Sequence, residues 1–259
     1  MANESGGTCL IRCGWLFDGT GGAPEKDVLI RVEDTRISGL SGYRDADIPD
    51  GGKALDFSDC CVIPSLIDSH VHLTMSGTGD PAVRERQLRI GCEELEPVIA
   101  DHVKDHRRHG VAAVRDGGDR QGCVAAWNKK VARSGDLPIV FSAGRAWRRQ
   151  NRYGKLIGRG VPAGEPLHVA MEGNLSGIDH VKIVNSGLNS LLNFGHQTAP
   201  QFDADDFRHA VLYAQRQGLP VMVHANGAQP VKIAASAGCR SVEHGFFMGG
   251  ENMKQLADA

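Results

Sequence analysis

From residue 60 onward, short apolar runs alternate with longer amphipathic stretches. This alternation predicts β-strands followed by helices that cross back over a parallel sheet. The predicted strands lie near residues 62–68, 111–115, 138–142, 179–184, 220–224 and 240–244. A series of strand–helix units favours a barrel over a doubly wound sheet. We therefore predict an α/β fold of the TIM-type (β/α) barrel class, incomplete, with about six of the eight units.

The first 59 residues have a different texture. Short β-like runs, "CLIRCGWLF" and "DVLIRVEDTRISGLSG", are separated by segments rich in Gly and Asp, including "DIPDGG". Such spacing is typical of hairpins. We therefore expect two domains, a small β domain within residues 1–59 and the barrel domain over residues 60–259.

Charge and hydropathy exclude two classes of partner. The chain of 259 residues carries 29 Lys and Arg against 31 Asp and Glu, a formal net charge of -2. Such a balance gives no electrostatic basis for binding nucleic acid or a membrane surface. No apolar run approaches the roughly 18 residues of a membrane span, and the N-terminus lacks the pattern of a signal peptide. The expected partner is a small molecule.

The cysteine pattern bears on the cellular compartment. Seven cysteines are scattered along the chain without a C-x-x-C pair. This argues against a disulfide framework and against a thiolate zinc site. We predict that the cysteines serve packing in a reducing compartment, and hence that the protein is cytoplasmic.

Polar residues that bind metals occur at the ends of several predicted strands. In "CVIPSLIDSHVHL", His70 and His72 point to the same face because successive side chains of a strand alternate. Lys182 lies within the apolar run "HVKIVNSG", where an unpaired ammonium is costly to bury. His224 and His244 end two further strands. A lone strand-end histidine is usually an ordinary core residue, but this combination predicts a metal site.

These motifs resemble the metal-dependent amidohydrolase superfamily, most closely its imidazolonepropionase and metal-dependent prolidase or carboxypeptidase branch. The matching segments are "IPSLIDSHVHL", "GVAAVRDGGD", "HVKIVNSG", "VHANG" and "VEHG", with "FDGTGGAPEKDVLI" similar to the start of the family's β-sandwich domain. The resemblance implies that carbon dioxide converts Lys182 into a carbamate that bridges two divalent metal ions, expected to be zinc. His70, His72 and Lys182 would hold one metal ion, and Lys182, His224 and His244 the other.

The resemblance implies a metal-dependent hydrolase that cleaves an amide, peptide or cyclic amide C–N bond through a metal-bridging hydroxide. The family's aspartate after strand eight has no counterpart, because Asp258 lies on a predicted helix after strand six. The catalytic residue is therefore unknown, and we expect strands seven and eight to be lacking. Two alternatives remain: a mononuclear deaminase, which leaves Lys182 unexplained, and a truncated, non-catalytic metal-binding fragment. The expected protein partner is a second copy of the chain or a complementing C-terminal chain.

Candidate substrate-binding residues follow two of these strands. Residues 143–166 form a predicted irregular connection rich in arginine, whose guanidinium groups suit an acidic or peptide-like substrate. A plain basic surface loop is the alternative. Arg148 and Tyr153 are the candidates from this segment. Asn226, two residues beyond His224, would face substrate by resemblance to metal-dependent dipeptidases of the superfamily, or would be a turn residue.

A second set of histidines has helical spacing. His102, His106 and His109 recur in "DHVKDHRRHG". Side chains so spaced share one face of a helix and could bind a metal ion. The surrounding Lys and Arg favour a solvated outer face instead.

Overall fold

The computed structural model describes residues 8–44, 54–131, 135–190 and 192–258. The predicted turn "DIPDGG" lies outside these ranges, as do the first seven residues. Two compact units divide the chain, Met1–Ser65 and Leu66–Ala259.

The N-terminal unit is built on a four-stranded sheet. Its strands are β1 (Cys9–Leu16), β2 (Glu25–Glu33), β3 (Arg36–Gly42) and β4 (Ala54–Val62), in the order β3-β2-β1-β4. The β2–β3 hairpin turns through Asp34 and Thr35, which have positive φ angles of 46° and 71°, as two-residue hairpin turns require. The predicted short strands are therefore present. Within the described part of this unit they form one sheet, and a second sheet of a sandwich is not seen.

The boundary between the units lies at residues 65 and 66, whereas the sequence predicts residues 59 and 60. Strand β4 continues to Val62 because it pairs in parallel with β1 up to Leu16. The first strand of the second unit is consequently β5 (Leu66–Val71), not residues 62–68. An apolar run does not reveal which sheet it joins, so the sequence could not separate these two strands.

The second unit alternates strands and helices. Its remaining strands are β6 (Val111–Asp116), β7 (Ile139–Ser142), β8 (Ala146–Arg149), β9 (Gly158–Val161), β10 (Val181–Val184), β11 (Val221–Ala225) and β12 (Ser241–His244). Its helices are α1 (Pro81–Gln87), α2 (Cys92–Arg108), α3 (Cys123–Lys130), α4 (Leu167–Met171), α5 (Ala204–Arg216), α6 (Ala228–Ser236) and α7 (Gly250–Ala257). The strands form two parallel sheets, β5-β6-β7 and β12-β11-β10-β8-β9. The α/β class is therefore confirmed.

Helix α5 illustrates how the sequence sets these elements. Its first turn is capped by Asp203, whose carboxylate accepts a hydrogen bond from the Asp206 N–H at 2.9 Å. Gly218, with φ of 75°, follows its end. Its buried positions recur at helical spacing: Phe207, Ala210, Val211 and Ala214. They pack in a core that also contains residues of β10 and β11.

The connection over residues 143–166 is not irregular, contrary to the prediction. It contains β8 and β9, which pair in parallel from Ala146 with Gly158 to Arg149 with Val161. Each strand has only four residues, and arginine interrupts the apolar pattern of both. The alternation of apolar and polar residues that predicts a strand cannot be recognised over so short and polar a segment.

The cysteines also differ from the prediction. Cys92 and Cys123 form a disulfide, with 5.1 Å between their Cα atoms, so a role in packing alone is wrong for this pair. They start α2 and α3, whose side chains share one core cluster, and this proximity is not visible in sequence. The cytoplasmic location stays a prediction. Each helix among the described residues is too short or too polar to span a bilayer.

Candidate functional site

Four histidine side chains converge in the second unit. His70 and His244 lie at the ends of β5 and β12, His224 lies in β11, and His72 directly follows β5. Their ring centroids are 5.4 Å apart for His70 and His72, 5.0 Å for His70 and His244, and 4.6 Å for His224 and His244. All four line a cavity of about 1300 Å³, which we call the histidine cavity.

Lys182 lies in the middle of β10 and lines the same cavity. The side chain is 1% exposed, and every residue of the strand is buried. Its Nζ has no hydrogen-bond partner within the described ranges. Burial lowers the pKa of Lys182 to about 7, because the charged amine loses its hydration. The structure therefore holds an amine that is readily neutral beside the four imidazoles.

Hydrogen bonds orient three of the imidazole rings. His70 Nδ1 lies 2.7 Å from the Glu243 carboxylate, and His72 Nδ1 lies 2.9 Å from the Gly118 carbonyl oxygen. His224 Nε2 lies 3.1 Å from the Gly187 carbonyl oxygen. Donation by one ring nitrogen leaves the other as a free base, the form that binds metals.

Burial keeps two of these rings neutral. It lowers the pKa of His72 to about 4 and that of His224 to about 3, because a charged imidazolium would lose its hydration. Both side chains are therefore unprotonated at neutral pH.

Glu243 is a site residue that the sequence reasoning missed. Burial raises its pKa, but hydrogen bonds from His70 and Ser241 outweigh this effect, so that the pKa of Glu243 falls to about 2. The carboxylate also accepts a hydrogen bond from Arg115 at 2.9 Å. The available signal was a carboxylate directly before His244 in a predicted strand.

Gly117 was also missed. A Cβ atom at this position would lie 2.8 Å from His72 Cε1 and 3.2 Å from His70 Nε2. The backbone after β6 therefore packs directly against both imidazoles. Only glycine leaves this space free.

His244 has an unusual backbone conformation. Its φ angle is 70°, in the left-handed region that residues with a Cβ rarely adopt. Such conformations cluster at functional sites, where the surrounding structure maintains them.

Two of the three predicted substrate-binding residues line the histidine cavity. The Tyr153 ring centroid lies 5.2 Å from that of His224. Asn226 places its Nδ2 atom 3.5 Å from His224 Nε2, while its Oδ1 accepts a hydrogen bond from the Phe246 N–H. Arg148 does not line this cavity, because β8 directs it to a different one. Much of the remaining wall is apolar: Met75, Leu156, Ile157, Leu188, Phe194, Phe246 and Phe247.

His102 and His106 of α2, and His109 directly after it, do not join this site. His102 Nδ1 lies 2.8 Å from the Leu73 carbonyl oxygen, and its Nε2 lies 3.0 Å from Ser76 Oγ. His106 and His109 each place Nδ1 near the carbonyl oxygen four residues earlier. His102 is half-buried rather than solvated, and it supports the segment that follows His72.

The residues fit a metal centre in which the lysine takes part. Across the described ranges, no three His, Cys, Asp or Glu side chains could hold a metal ion by themselves. Lys182 Nζ, which lines the same cavity as the imidazoles, is a buried atom without a hydrogen-bond partner among the described residues. A ligand built on that nitrogen would complete the set.

The match to a family model covers most of the chain. Residues 61–257 match the model of the amidohydrolase family. The chain belongs to the amidohydrolase family. This confirms the resemblance inferred from the strand-end motifs, all of which lie within the matched residues. A comparison with curated proteins gave no match.

The similarity to solved structures extends beyond the residues that match the family model. A Xaa-Pro dipeptidase with methionine bound in its active site is 24% identical, with a TM-score of 0.77 over 97% of this chain and 65% of that chain. Ochratoxinase from A. niger is 19% identical, with a TM-score of 0.72 over 98% and 64%. Molinate hydrolase is 20% identical, with a TM-score of 0.75 over 98% and 62%. At these identities the likeness shows the fold alone. The chain spans less than two thirds of the length of each structure.

Proposed function

We propose that this chain carries the metal centre of a metal-dependent hydrolase that cleaves a C–N bond in a small amide, peptide or cyclic amide. The observation that carries the proposal is the convergence of four imidazoles around the buried, unpartnered amine of Lys182. Membership of the amidohydrolase family supports this class of reaction. The Xaa-Pro dipeptidase among the similar structures supports dipeptides as the first substrates to screen.

The centre we propose depends on Lys182. Its neutral amine would attack carbon dioxide, form an N–C bond and release one proton to solvent, which yields a carbamate anion on the buried side chain. His70, His72 and the carbamate would hold one metal ion, and the carbamate, His224 and His244 the other. When bound, the two divalent ions, which we propose to be zinc, supply an activated water and polarise the scissile carbonyl.

The other side chains of the cavity position the ligands and the substrate. Glu243 fixes the His70 ring through its Nδ1 atom. Tyr153 and Asn226 lie beside His224, and we propose that they orient the polar group of the substrate. The apolar wall would exclude water from the rest of the bound molecule.

We further propose that six strands of the second unit are six of the eight strands of a TIM-type barrel, namely β5, β6, β7, β10, β11 and β12. We also propose that the N-terminal sheet is part of a β-sandwich domain. Strands β5 and β12 lie at sheet edges. An exposed edge presents unpaired backbone groups that further strands would satisfy. A complementing chain or a second copy would supply those strands.

Metal content tests the proposal directly. We expect about two equivalents of zinc per folded chain after loading in bicarbonate, measured by elemental mass spectrometry. Lys182→Ala should lower this number, whereas Lys232→Ala, an exposed position on α6, should not. Unchanged stoichiometry in Lys182→Ala would refute the bridging role.

Turnover separates the proposal from its alternatives. The loaded chain is assayed against dipeptides and simple amides, with release of the free amine as the readout. Two metal ions without turnover would support a non-catalytic fragment. One metal ion per chain would favour a mononuclear deaminase.

A further inference from the structure

A second cavity, of about 640 Å³, lies among the arginines of β8, β9 and the segments near them. We call it the basic pocket. Five of its lining side chains are cationic: Arg120, Arg145, Arg148, Lys155 and Arg159. The others are uncharged: Gln121, Gly158 and Gly160. A cavity with such a lining attracts anions.

Within the described ranges, none of these five cations has a protein counter-ion. Elsewhere in this unit, partly buried arginines are paired: Arg149 lies 2.7 Å from Asp206, and Arg115 lies 2.9 Å from Glu243. In the part of the chain that the structure describes, no carboxylate lies within ion-pair distance of a cation of the basic pocket. Their mutual repulsion is therefore not compensated by the protein.

Three guanidinium groups also carry unsatisfied donors. The Nε atoms of Arg145, Arg148 and Arg159 are buried without a hydrogen-bond partner among the described residues. The Arg159 group is held in place, since it donates to Asn174 Oδ1 at 2.8 Å and lies 4.3 Å from the Trp147 ring centroid. Buried polar atoms are normally hydrogen-bonded, so several orphaned donors around one cavity require an explanation.

The pocket confines these charges and leaves space between them. Burial lowers the pKa of Arg148 and that of Arg159, and the charge of Arg145 lowers the latter further. A Cβ atom at Gly160 would lie 3.3 Å from Arg148 Nη1. The absence of a side chain there keeps the space in front of the guanidinium group open.

We infer that the basic pocket binds an oxyanion that carries at least two negative charges, either a phosphoryl anion or a dicarboxylate. Guanidinium forks match both oxyanions, and a bound anion would satisfy the donors and neutralise the cations. Lys155 lines both this pocket and the histidine cavity. The bound anion would therefore lie beside the proposed substrate site. The inference does not depend on metal binding or hydrolysis.

Calorimetric titration of the full chain with inorganic phosphate and, separately, with succinate tests the inference at an ionic strength held constant with sodium chloride. We expect saturable binding of at least one anion. Binding of phosphate alone identifies a phosphoryl site, and binding of succinate alone identifies a dicarboxylate site. If neither anion binds saturably, the inference is wrong.

Substitutions locate the site. Arg145→Gln should weaken binding about tenfold, the effect of losing one charge-assisted contact. Arg145 makes no hydrogen bond within the described ranges, so the Arg145→Gln variant should fold. Lys155→Gln is a second test, because Lys155 is exposed. Arg216→Gln makes the same charge change at an exposed position of α5 and should leave the affinity unchanged. Equal affinity in wild type, Arg145→Gln and Lys155→Gln would place the anion elsewhere and overturn the inference.

Discussion

Replacing Gly117 by alanine perturbs the proposed metal centre without changing any proposed ligand. The φ angle of Gly117 is not in the left-handed region, so alanine can adopt the backbone conformation. The new methyl group would meet His72 Cε1 at 2.8 Å and His70 Nε2 at 3.2 Å. Both contacts involve rings that the proposal assigns to one metal ion.

The size of the effect follows from these distances. An ordinary carbon contact begins near 3.4 Å, so the His72 ring must move by roughly 0.6 Å, well beyond the 0.2 Å tolerance of a metal–ligand bond. Hydrogen bonding of His72 to Gly118 opposes this movement. Overpacking should cost about 1 to 3 kcal/mol of stability. Displacement of a ligand should lower zinc affinity by at least about tenfold.

Zinc affinity is measured by competition with a chromophoric chelator, and stability by urea denaturation of the metal-free chain. Gly79→Ala is the matched control, because a Cβ there meets nothing within 4 Å. We expect the control to bind zinc like the wild type. Wild-type zinc affinity in a folded Gly117→Ala chain would refute the assignment of His70 and His72 as ligands.

Three further predictions test the surrounding structure. Glu243→Gln removes the charge that orients His70. The variant should lower the free energy of unfolding in urea by about 1.5 to 3 kcal/mol and zinc affinity about tenfold. Unchanged values would contradict the positioning role of Glu243. Thiol titration of the denatured chain should count five thiols before reduction and seven after it. Loss of the Cys92–Cys123 bond, which spans 31 residues, should lower the free energy of unfolding by about 3 to 4 kcal/mol. Seven thiols before reduction would exclude the disulfide. Asp203→Ala should destabilise the chain by about 1 kcal/mol through loss of the α5 cap, and a fully stable variant would show that the cap is dispensable.

The sequence predicted the elements whose signals are local. The apolar runs marked β6, β7, β10, β11 and β12. The motifs around His70, Lys182 and His244 indicated convergence, because parallel strands present their carboxyl ends at one edge of a sheet. The ring distances agree with that expectation.

The features that the sequence missed depend on contacts between distant segments. Glu243 meets His70, and Cys92 meets Cys123, only after the strands and helices have packed. For Arg148, the sequence suggested a contact that the packed structure does not make. Its position in an arginine-rich segment suggested a substrate contact, but the unrecognised strand β8 directs it into the basic pocket.

The left-handed backbone of His244 limits how far the stability of this protein can be raised without loss of the histidine cluster. Glycine or asparagine would adopt the conformation more readily, and relief of such strain is worth about 1 to 3 kcal/mol. Neither residue would supply an imidazole to the cluster. A laboratory selection for heat resistance alone would therefore favour loss of this histidine, and a library at position 244 has to be screened for zinc retention as well as survival.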